Sequence, residues 1–164
     1  MINFLHLAQS IEHYKRLNYE RLEAPWWVTK EIADLTKPAH AKDYLIPENN
    51  KVLVASAEQS FLYLANKGLL PKGKFQATTP CFRNESIDLL HCKHFIKNEL
   101  INTQTISEAE LKTMINHAVK FFSQYINKKR LKIVETEAHQ SKINYDIVAI
   151  VNGQELELGS YGIR

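Results

Sequence analysis

The sequence predicts an α+β fold in which a mostly antiparallel sheet is flanked by about three helices. Three segments carry apolar residues at helical spacing, and most of the remaining chain has the pattern of short strands. Two of those strands are joined by Asn152-Gly153, the strongest short signal for a β-hairpin. The sequence has no internal repeat and no low-complexity tract, so we expect one domain over residues 1–164.

Composition limits the classes of protein to consider. The content of 45% hydrophobic and 24% charged residues is that of a soluble globular protein. Neither a secretory signal nor a membrane-spanning apolar run is evident, and two cysteines do not make a disulfide scaffold, so the cytoplasm is the expected location. A net charge of +3 is compatible with a polyanionic partner but lacks the dense basic surface of a dedicated nucleic-acid binder.

The first half of the chain contains two predicted helices. The first has an apolar stripe at helical spacing, formed by Phe4, Leu7, Ala8, Ile11 and Tyr14. A strand is predicted over 19–28, where Pro25 favours an edge or interface position because it lacks a backbone donor. Residues 29–50 are predicted to form a loop with short helical turns, followed by a strand at 51–55. The second helix, at 57–67, begins at a capping-box spacing of Ser56 and Gln59.

The second half is predicted to contain five strands and one helix. Strands at 75–85 and 91–101 are joined by a polar turn. A helix follows the capping box formed by Ser107 and Glu110. The remaining strands are predicted at 131–135, 145–151 and 155–163.

Strand alternation collects an unusual set of side chains on one face of the sheet. Successive residues of a strand point to opposite faces, so the strands at 75–85 and 91–101 share a polar face containing Arg83, Glu85, His91, Lys93, Phe95, Lys97 and Glu99. The opposite face, with Phe82, Cys92, Ile96 and Leu100, is expected to be the apolar core face. An arginine suits bidentate contact with phosphate, and a flat aromatic ring suits stacking under a base, so a nucleoside triphosphate would fit the polar face. A solvated face with ordinary charge pairs is the alternative.

Two other groups of residues are better explained structurally. His91, Cys92 and His94 are close in sequence, but strand alternation places Cys92 and His94 on the face opposite His91. Two ligands on one face do not make a zinc site. The basic run Lys128-Lys129-Arg130 is expected to be a solvated helix end rather than an RNA-binding patch.

The segment Thr79-Pro-Cys-Phe-Arg-Asn-Glu85, followed by Phe95-x-Lys97-x-Glu99, resembles motif 2 of class II aminoacyl-tRNA synthetases, most closely the seryl type. The resemblance implies that Arg83 binds the α-phosphate of ATP and that Phe95 stacks on adenine. It implies that Glu85 lies near the adenine or the acceptor end, and that His91 or Lys93 reaches the outer phosphates. The loop between Glu85 and His91 is shorter than in seryl enzymes, where it contacts the acceptor stem, so tRNA is the weaker of the implied partners.

Two earlier segments resemble the same family. The first helix and the strand with Pro25 are similar to motif 1, which implies a homodimer with Pro25 at its interface. The adjacent Trp26 and Trp27 belong to the core or to that interface, and core burial is favoured. Ser56-Ala-Glu58 resembles the segment whose glutamate meets the amino group of the substrate; the alternative is a first-turn carboxylate favoured by the helix dipole. Four residues are expected to bind the substrate amino acid: Glu58, Lys97, Glu99 and Ser160.

The C-terminal hairpin resembles the strand pair that carries metal-binding carboxylates in aspartyl-type synthetases and in ammonia-dependent asparagine synthetase. With Asn152-Gly153 as the turn, Asp146 is predicted to lie opposite Gly159, and Glu157 opposite Val148. Asp146 and Glu157 are then diagonal neighbours that repel each other unless a cation lies between them, and Mg²⁺ bound to ATP is the natural candidate. The alternative is a solvated Glu157 and an Asp146 that only ends its strand.

The resemblance implies an ATP-dependent ligase that binds ATP·Mg²⁺ and an amino acid and forms an aminoacyl-adenylate for transfer to tRNA or another acceptor. The alternative is an inactive or regulatory synthetase paralogue that binds nucleotide, amino acid or RNA without turnover. The family's motif 3 would be expected after Arg164, which makes a fragment of a longer gene product a third reading.

Overall fold

The computed structural model describes residues 2–37, 41–46, 50–84, 92–137 and 143–163. The chain divides into two compact units, Met1–Gln104 and Thr105–Arg164, which we call unit 1 and unit 2. Across the described ranges, four α-helices and three three-stranded sheets confirm the predicted α+β class. Grouping of residues 1–164 into one synthetase-like domain stays a prediction. No helix in the described part of the chain is long and apolar enough to cross a membrane.

Unit 1 contains three helices and six strands among its described residues. In chain order they are α1 (Phe4–Lys15), β1 (Glu20–Arg21), β2 (Trp27–Thr29), α2 (Lys30–Ala33), β3 (Leu45–Ile46), β4 (Lys51–Leu53), α3 (Ala57–Asn66), β5 (Lys74–Phe82) and β6 (His94–Asn102).

The strands of unit 1 form two sheets. In the first, β5 lies between β1 and β6, antiparallel to β6 from the pair Lys74–Asn102 to the pair Phe82–His94 and parallel to β1. In the second, β4 lies antiparallel between β2 and β3. A backbone bond from the N–H of Phe82 to the carbonyl of Val54, at 2.8 Å, joins the end of β5 to the chain leaving β4. The two strands predicted at 75–85 and 91–101 therefore exist as an antiparallel pair.

One face of the β5–β6 pair is attached to α1 through two side-chain amides, that of the buried Gln76 and that of the half-buried Asn98. The Gln76 side chain donates to the backbone carbonyls of Ile11 and Tyr19, each at 3.0 Å. The Asn98 side chain donates to Gln76 at 3.0 Å and to Ser10 at 3.4 Å. The expectation of a largely apolar face was therefore wrong at its centre. Polar side chains are tolerated there because their hydrogen bonds compensate the loss of water.

The apolar core of unit 1 forms where α2 and α3 meet the strands. One cluster of buried side chains contains Val28, Ile32, Ala33, Val52 and Val54. Another contains Ala57, Phe61 and Ala77, which brings α3 onto the other face of β5. The α3 helix thus covers part of the sheet face on which the nucleotide was expected.

The segment predicted as one strand over 19–28 forms two short strands instead. Pro25 lies between them, where its missing N–H interrupts no ladder. Trp26 is 58% exposed, so the expectation that it is buried was wrong. Trp27 is half-buried, with Lys51 Nζ 3.5 Å from its ring centroid and Tyr63 packed edge-on. The region predicted as a loop with helical turns, residues 29–50, contains α2 and β3.

Unit 2 packs one long helix on a three-stranded antiparallel sheet. Its elements are α4 (Glu108–Phe122), a 3₁₀ turn (Lys128–Arg130), β7 (Leu131–Glu135), β8 (Asn144–Val151) and β9 (Gln154–Gly162), with β8 in the centre. The predicted cap is present: the Ser107 hydroxyl accepts the N–H of Glu110 at 3.2 Å. The core of the unit contains Leu111, Ile115, Ala118 and Ile147.

The hairpin β8–β9 turns at Asn152-Gly153, as predicted. Both residues have positive φ, 51° and 80°, which glycine adopts freely and asparagine tolerates. The register slips by one residue between Ile147 and Val148, so that Val148 faces Glu157 while Ile147 faces Gly159. Asp146 consequently lies opposite Ser160 rather than the predicted Gly159. A β-bulge produces such a shift because one strand contains an extra residue.

Candidate functional site

A group of charged side chains with one aromatic ring lies on the α3-facing side of the β5–β6 pair. Cys81 faces Phe95, Thr79 faces Lys97 and Ala77 faces Glu99 in the ladder. Arg83 continues this line beyond β5, because its N–H donates to the carbonyl of Lys93 at 2.8 Å. We call Arg83, Lys93, Phe95, Lys97 and Glu99 the polar face. Glu85 and His91, which the sequence adds to this group, lie outside the described residues.

Arg83 and Phe95 are in direct contact. The guanidinium carbon of Arg83 lies 5.1 Å from the centroid of the Phe95 ring, within the range of a cation–π interaction. Both side chains are half-buried, while Lys93 beside them is exposed. A guanidinium offers a planar set of donors to a phosphate, and a ring offers a surface for a base. The structure therefore places a phosphate-binding group and a stacking group side by side.

Glu99 links the polar face to the N-terminus of α3. One carboxylate oxygen accepts the backbone N–H of Ala57, the first residue of α3, and the other lies 3.2 Å from Lys97 Nζ. Negative charge is favoured at a helix N-terminus, where backbone donors lack partners inside the helix. Sequence reasoning missed this role because the two residues are 42 positions apart in the chain.

The carboxylate of Glu99 also stabilises the positive charge of Lys97. Burial by itself would lower the pKa of the Lys97 ammonium, but attraction to Glu99 acts in the opposite direction, and the pKa lies above its ordinary value. Lys97 therefore stays positively charged at neutral pH. The pair brings no net charge to this part of the polar face.

Glu58 lies in the first turn of α3, one residue after the amide that Glu99 binds. It is half-buried. This position agrees with the first-turn carboxylate favoured by the helix dipole, while contact with the amino group of a substrate is the other reading. Both readings of Glu58 remain predictions.

The hairpin of unit 2 brings three of the predicted residues onto one face. Asp146 and Ser160 are directly opposite each other, and Glu157 faces Val148 two residues along β8. Asp146 is half-buried, and Glu157 and Ser160 are exposed. This face points away from α4, because Ile147, on the other side of β8, packs in the α4 core.

The carboxylates of Asp146 and Glu157 suit a cation whose remaining ligands come from water or a substrate. Within the described ranges no three histidine, cysteine, aspartate or glutamate side chains form a group that could hold a metal ion. Mg²⁺, however, is commonly bound through one or two carboxylates together with water and phosphate oxygens. Asp146 and Glu157 provide oxygen ligands of this kind.

No protein-family model matches the sequence, and no curated protein matches it either. Solved structures do match, over 95% of this chain. The seryl-tRNA synthetase of Pyrococcus horikoshii complexed with ATP aligns with a TM-score of 0.70 at 16% identity, and the match covers 40% of that chain. The fold is that of the class II synthetases. The cytoplasmic serine-tRNA ligase of Naegleria fowleri in complex with AMP aligns with a TM-score of 0.65 at 16% identity, over 43% of its chain.

These comparisons confirm the class II fold predicted from motif 2. The chain spans less than half the length of either synthetase. At 16% identity the likeness concerns the fold, and activity has to be argued from the residues of this chain.

Proposed function

We propose that the chain binds ATP on the polar face of β5–β6, binds an amino acid beside it, and joins the two into an aminoacyl-adenylate. The contact between Arg83 and Phe95 is the observation that carries the proposal. Binding a nucleotide needs both a group for the phosphates and a surface for the base, and this pair offers both on one strand pair. The match to synthetases solved with ATP and with AMP supports the same ligand class.

In the proposed reaction an oxygen of the amino acid carboxylate attacks the α-phosphorus of ATP. A new O–P bond forms, the bond from the α-phosphorus to the bridging oxygen breaks, and pyrophosphate leaves with that electron pair. Arg83 holds the α-phosphate and offsets the charge that develops there, and Lys93 supplies a mobile positive charge for the outer phosphates. No covalent nucleophile is needed, because positioning and charge compensation carry such a reaction.

The α3 end of the polar face is the proposed position of the amino acid. Glu58 would receive the ammonium group. Glu99 and Lys97 are already paired, but a carboxylate has about four lone-pair positions, so Glu99 can accept a further bond from the substrate. Considered by itself, unit 2 offers Ser160 as a proposed amino-acid contact and Asp146 and Glu157 as proposed ligands of Mg²⁺, a cation that would neutralise negative charge on phosphate oxygens.

The proposal does not specify the molecule that accepts the aminoacyl group. The segment that would contact tRNA, between Glu85 and His91, lies outside the described residues. Transfer to tRNA therefore stays a prediction from the sequence. Location in the cytoplasm is likewise a prediction from the sequence.

A homodimer through the segment around Pro25 is part of the proposal. Trp26 is 58% exposed beside this proline. A large aromatic side chain left in water is costly, and tryptophan is enriched at protein interfaces. A second copy of the chain is the partner that we propose for it.

Nucleotide binding is tested by replacing Arg83. We expect ATP with Mg²⁺ to raise the melting temperature of the parent protein and to have no such effect on Arg83→Ala. The matched control is Arg16→Ala, which removes an arginine that is 76% exposed and paired with Glu12 on α1. A shift that survives Arg83→Ala would place the nucleotide elsewhere.

Adenylate formation is tested by ATP–pyrophosphate exchange with each of the common amino acids. The proposal expects exchange with one or a few of them. ATP-dependent stabilisation without exchange for any amino acid would contradict the enzyme and support the binding paralogue.

A further inference from the structure

Asn144, the first residue of β8, lies at the centre of a row of polar side chains that runs from the end of β7 across β8 to β9. Its side-chain amide nitrogen lies 2.7 Å from the Thr136 hydroxyl just after β7, 3.0 Å from the Ser160 hydroxyl on β9, and 3.4 Å from an Asp146 carboxylate oxygen. The backbone supports the same row, because the N–H of Thr136 donates to the carbonyl of Asn144 at 2.9 Å.

An asparagine is an unusual choice for this position. Asn144 is only 4% exposed, and asparagine is disfavoured in strands compared with β-branched residues. Burying an amide gains nothing over an apolar side chain unless its hydrogen bonds are made, and even then the net gain is small. Its neighbours two and four positions along the same face of β8, Asp146 and Val148, show that the strand accepts both polar and apolar side chains there.

The distances show how the amide distributes its hydrogen bonds. An amide nitrogen has two hydrogens, and three acceptors surround it. The two hydrogens are therefore shared among the three acceptors; the bonds to the two hydroxyls are the shorter ones, and the bond to Asp146, at 3.4 Å, is the longest. The Asp146 carboxylate is thereby held near one position while most of its lone pairs stay available to another ligand.

Ser160 is held from the same side. Its hydroxyl can accept from the amide nitrogen at 3.0 Å and lies 3.5 Å from the amide oxygen. The hydroxyl is on an exposed residue, directly opposite Asp146. A single buried amide therefore contacts both the carboxylate and the hydroxyl.

We infer that Asn144 is a positioning residue, whose buried amide fixes Asp146 for cation binding and Ser160 for substrate contact on one face of the β8–β9 ladder. The inference rests on the roles proposed above for Asp146 and Ser160. Groups that hydrogen-bond to metal ligands orient them, and their loss commonly weakens metal binding by about 10- to 100-fold.

The test measures Mn²⁺ binding to the full chain by the loss of the free-ion electron paramagnetic resonance signal, with neither ATP nor amino acid present. Asp146→Asn should abolish the binding seen in the parent. Asn144→Leu replaces the amide by an apolar side chain of similar size, so we expect a folded protein with an unchanged melting temperature and about tenfold weaker Mn²⁺ binding. Asn144→Ser, which retains a hydroxyl, serves as a second variant and should show a smaller loss.

Asn98→Leu is the matched control. It removes the amide that bonds Gln76 and Ser10 in unit 1, so it makes the same chemical change in another hydrogen-bond network and should leave Mn²⁺ binding at the parent value.

The outcomes separate the inference from the proposed function. Parent-like Mn²⁺ binding in both Asn144 variants, with loss in Asp146→Asn, would overturn the positioning role and leave the cation site intact. Absence of binding in the parent, or binding that Asp146→Asn does not change, would overturn the cation site and this inference with it. Adenylate formation is read separately by pyrophosphate exchange, so its failure would not alter the Mn²⁺ result.

Discussion

The two cysteines of the chain differ in the properties that control thiol chemistry. Cys81 is fully buried on β5, and burial, followed by repulsion from Glu99, raises its pKa to about 12. Cys92 is exposed. Because the thiolate is the reactive form, Cys81 is expected to be inert at the mildly alkaline pH where ordinary thiols react.

We therefore predict that an aromatic disulfide reagent titrates one thiol in the native protein and two after unfolding. Cys92→Ser should remove the fast reaction and leave the slow one. Rapid reaction of two thiols in the native state would show that Cys81 is accessible.

Single residues also show which features of the candidate site could be predicted from the sequence and which could not. Alternation along β5 and β6 correctly placed Arg83, Phe95 and Glu99 on one face, because period-two patterning is a local property. The bond from Glu99 to the N-terminus of α3 could not be predicted in this way, since it depends on how α3 packs on the sheet. The same limit hid Asn144, which no motif distinguishes.

At the scale of elements, α3 and α4 were both predicted to begin with a capping box, and only one does. The Ser107 side chain accepts the N–H of Glu110, whereas Ser56 makes no side-chain cap bond. At the start of α3, Glu99 accepts the N–H of Ala57, the first helical residue, and Gln59 accepts the N–H of Ala55, which precedes the helix, at 2.8 Å. The local spacing was the same, and tertiary contacts decided the outcome.

Ser107→Ala and Ser56→Ala should accordingly lower the free energy of unfolding by different amounts. Loss of a serine cap costs about 1 kcal/mol, so Ser107→Ala should lower the free energy of unfolding by about that amount. Ser56→Ala should change it by less than about 0.5 kcal/mol. Denaturant titration of both variants beside the parent checks the difference, and equal losses would contradict the two capping arrangements.

Elements defined by strong local signals were predicted closely, and those shaped by neighbours were not. The helix after Ser107 and the turn at Asn152-Gly153 appear where the sequence predicts them. The strand predicted over 19–28 divides around Pro25, because Glu20–Arg21 before it pair with β5 and Trp27–Thr29 after it pair with β4.

For the whole molecule, motif order predicted a fold that overall sequence similarity barely reveals, since the matching synthetases are 16% identical to this chain. The division into two compact units was not predicted, because no change in composition marks residue 104. Each unit instead has its own cluster of buried side chains, around Val52 in unit 1 and Ile115 in unit 2.

Substitution of Trp26 tests whether the whole molecule assembles into a homodimer. If the segment around Pro25 forms the homodimer, Trp26→Glu should place a charge in the interface and shift the protein towards monomer in sedimentation velocity experiments. Leu69→Glu, which changes an apolar residue that is 64% exposed after α3, is the control and should leave the mass unchanged. A parent that sediments as a monomer, or a dimer that Trp26→Glu leaves intact, would rule out this interface.

Because of the bulge in the β8–β9 hairpin, the number of residues in β9 determines which of its side chains share a face with Asp146. Glu157 and Ser160 are three positions apart, an odd spacing, yet they lie on the same face because the register shifts between them. Deleting Leu158 would restore strict alternation to the ladder while leaving Glu157 opposite Val148. Ser160 would then follow Glu157 by two positions and would face Asp146 across an unbroken ladder. By contrast, deleting a residue on the turn side of Glu157 would move that carboxylate to the face covered by α4. Shortening at the bulge would thus keep Asp146, Glu157 and Ser160 on one face and shortening near the turn would not, which predicts where related chains that share the site can differ in length.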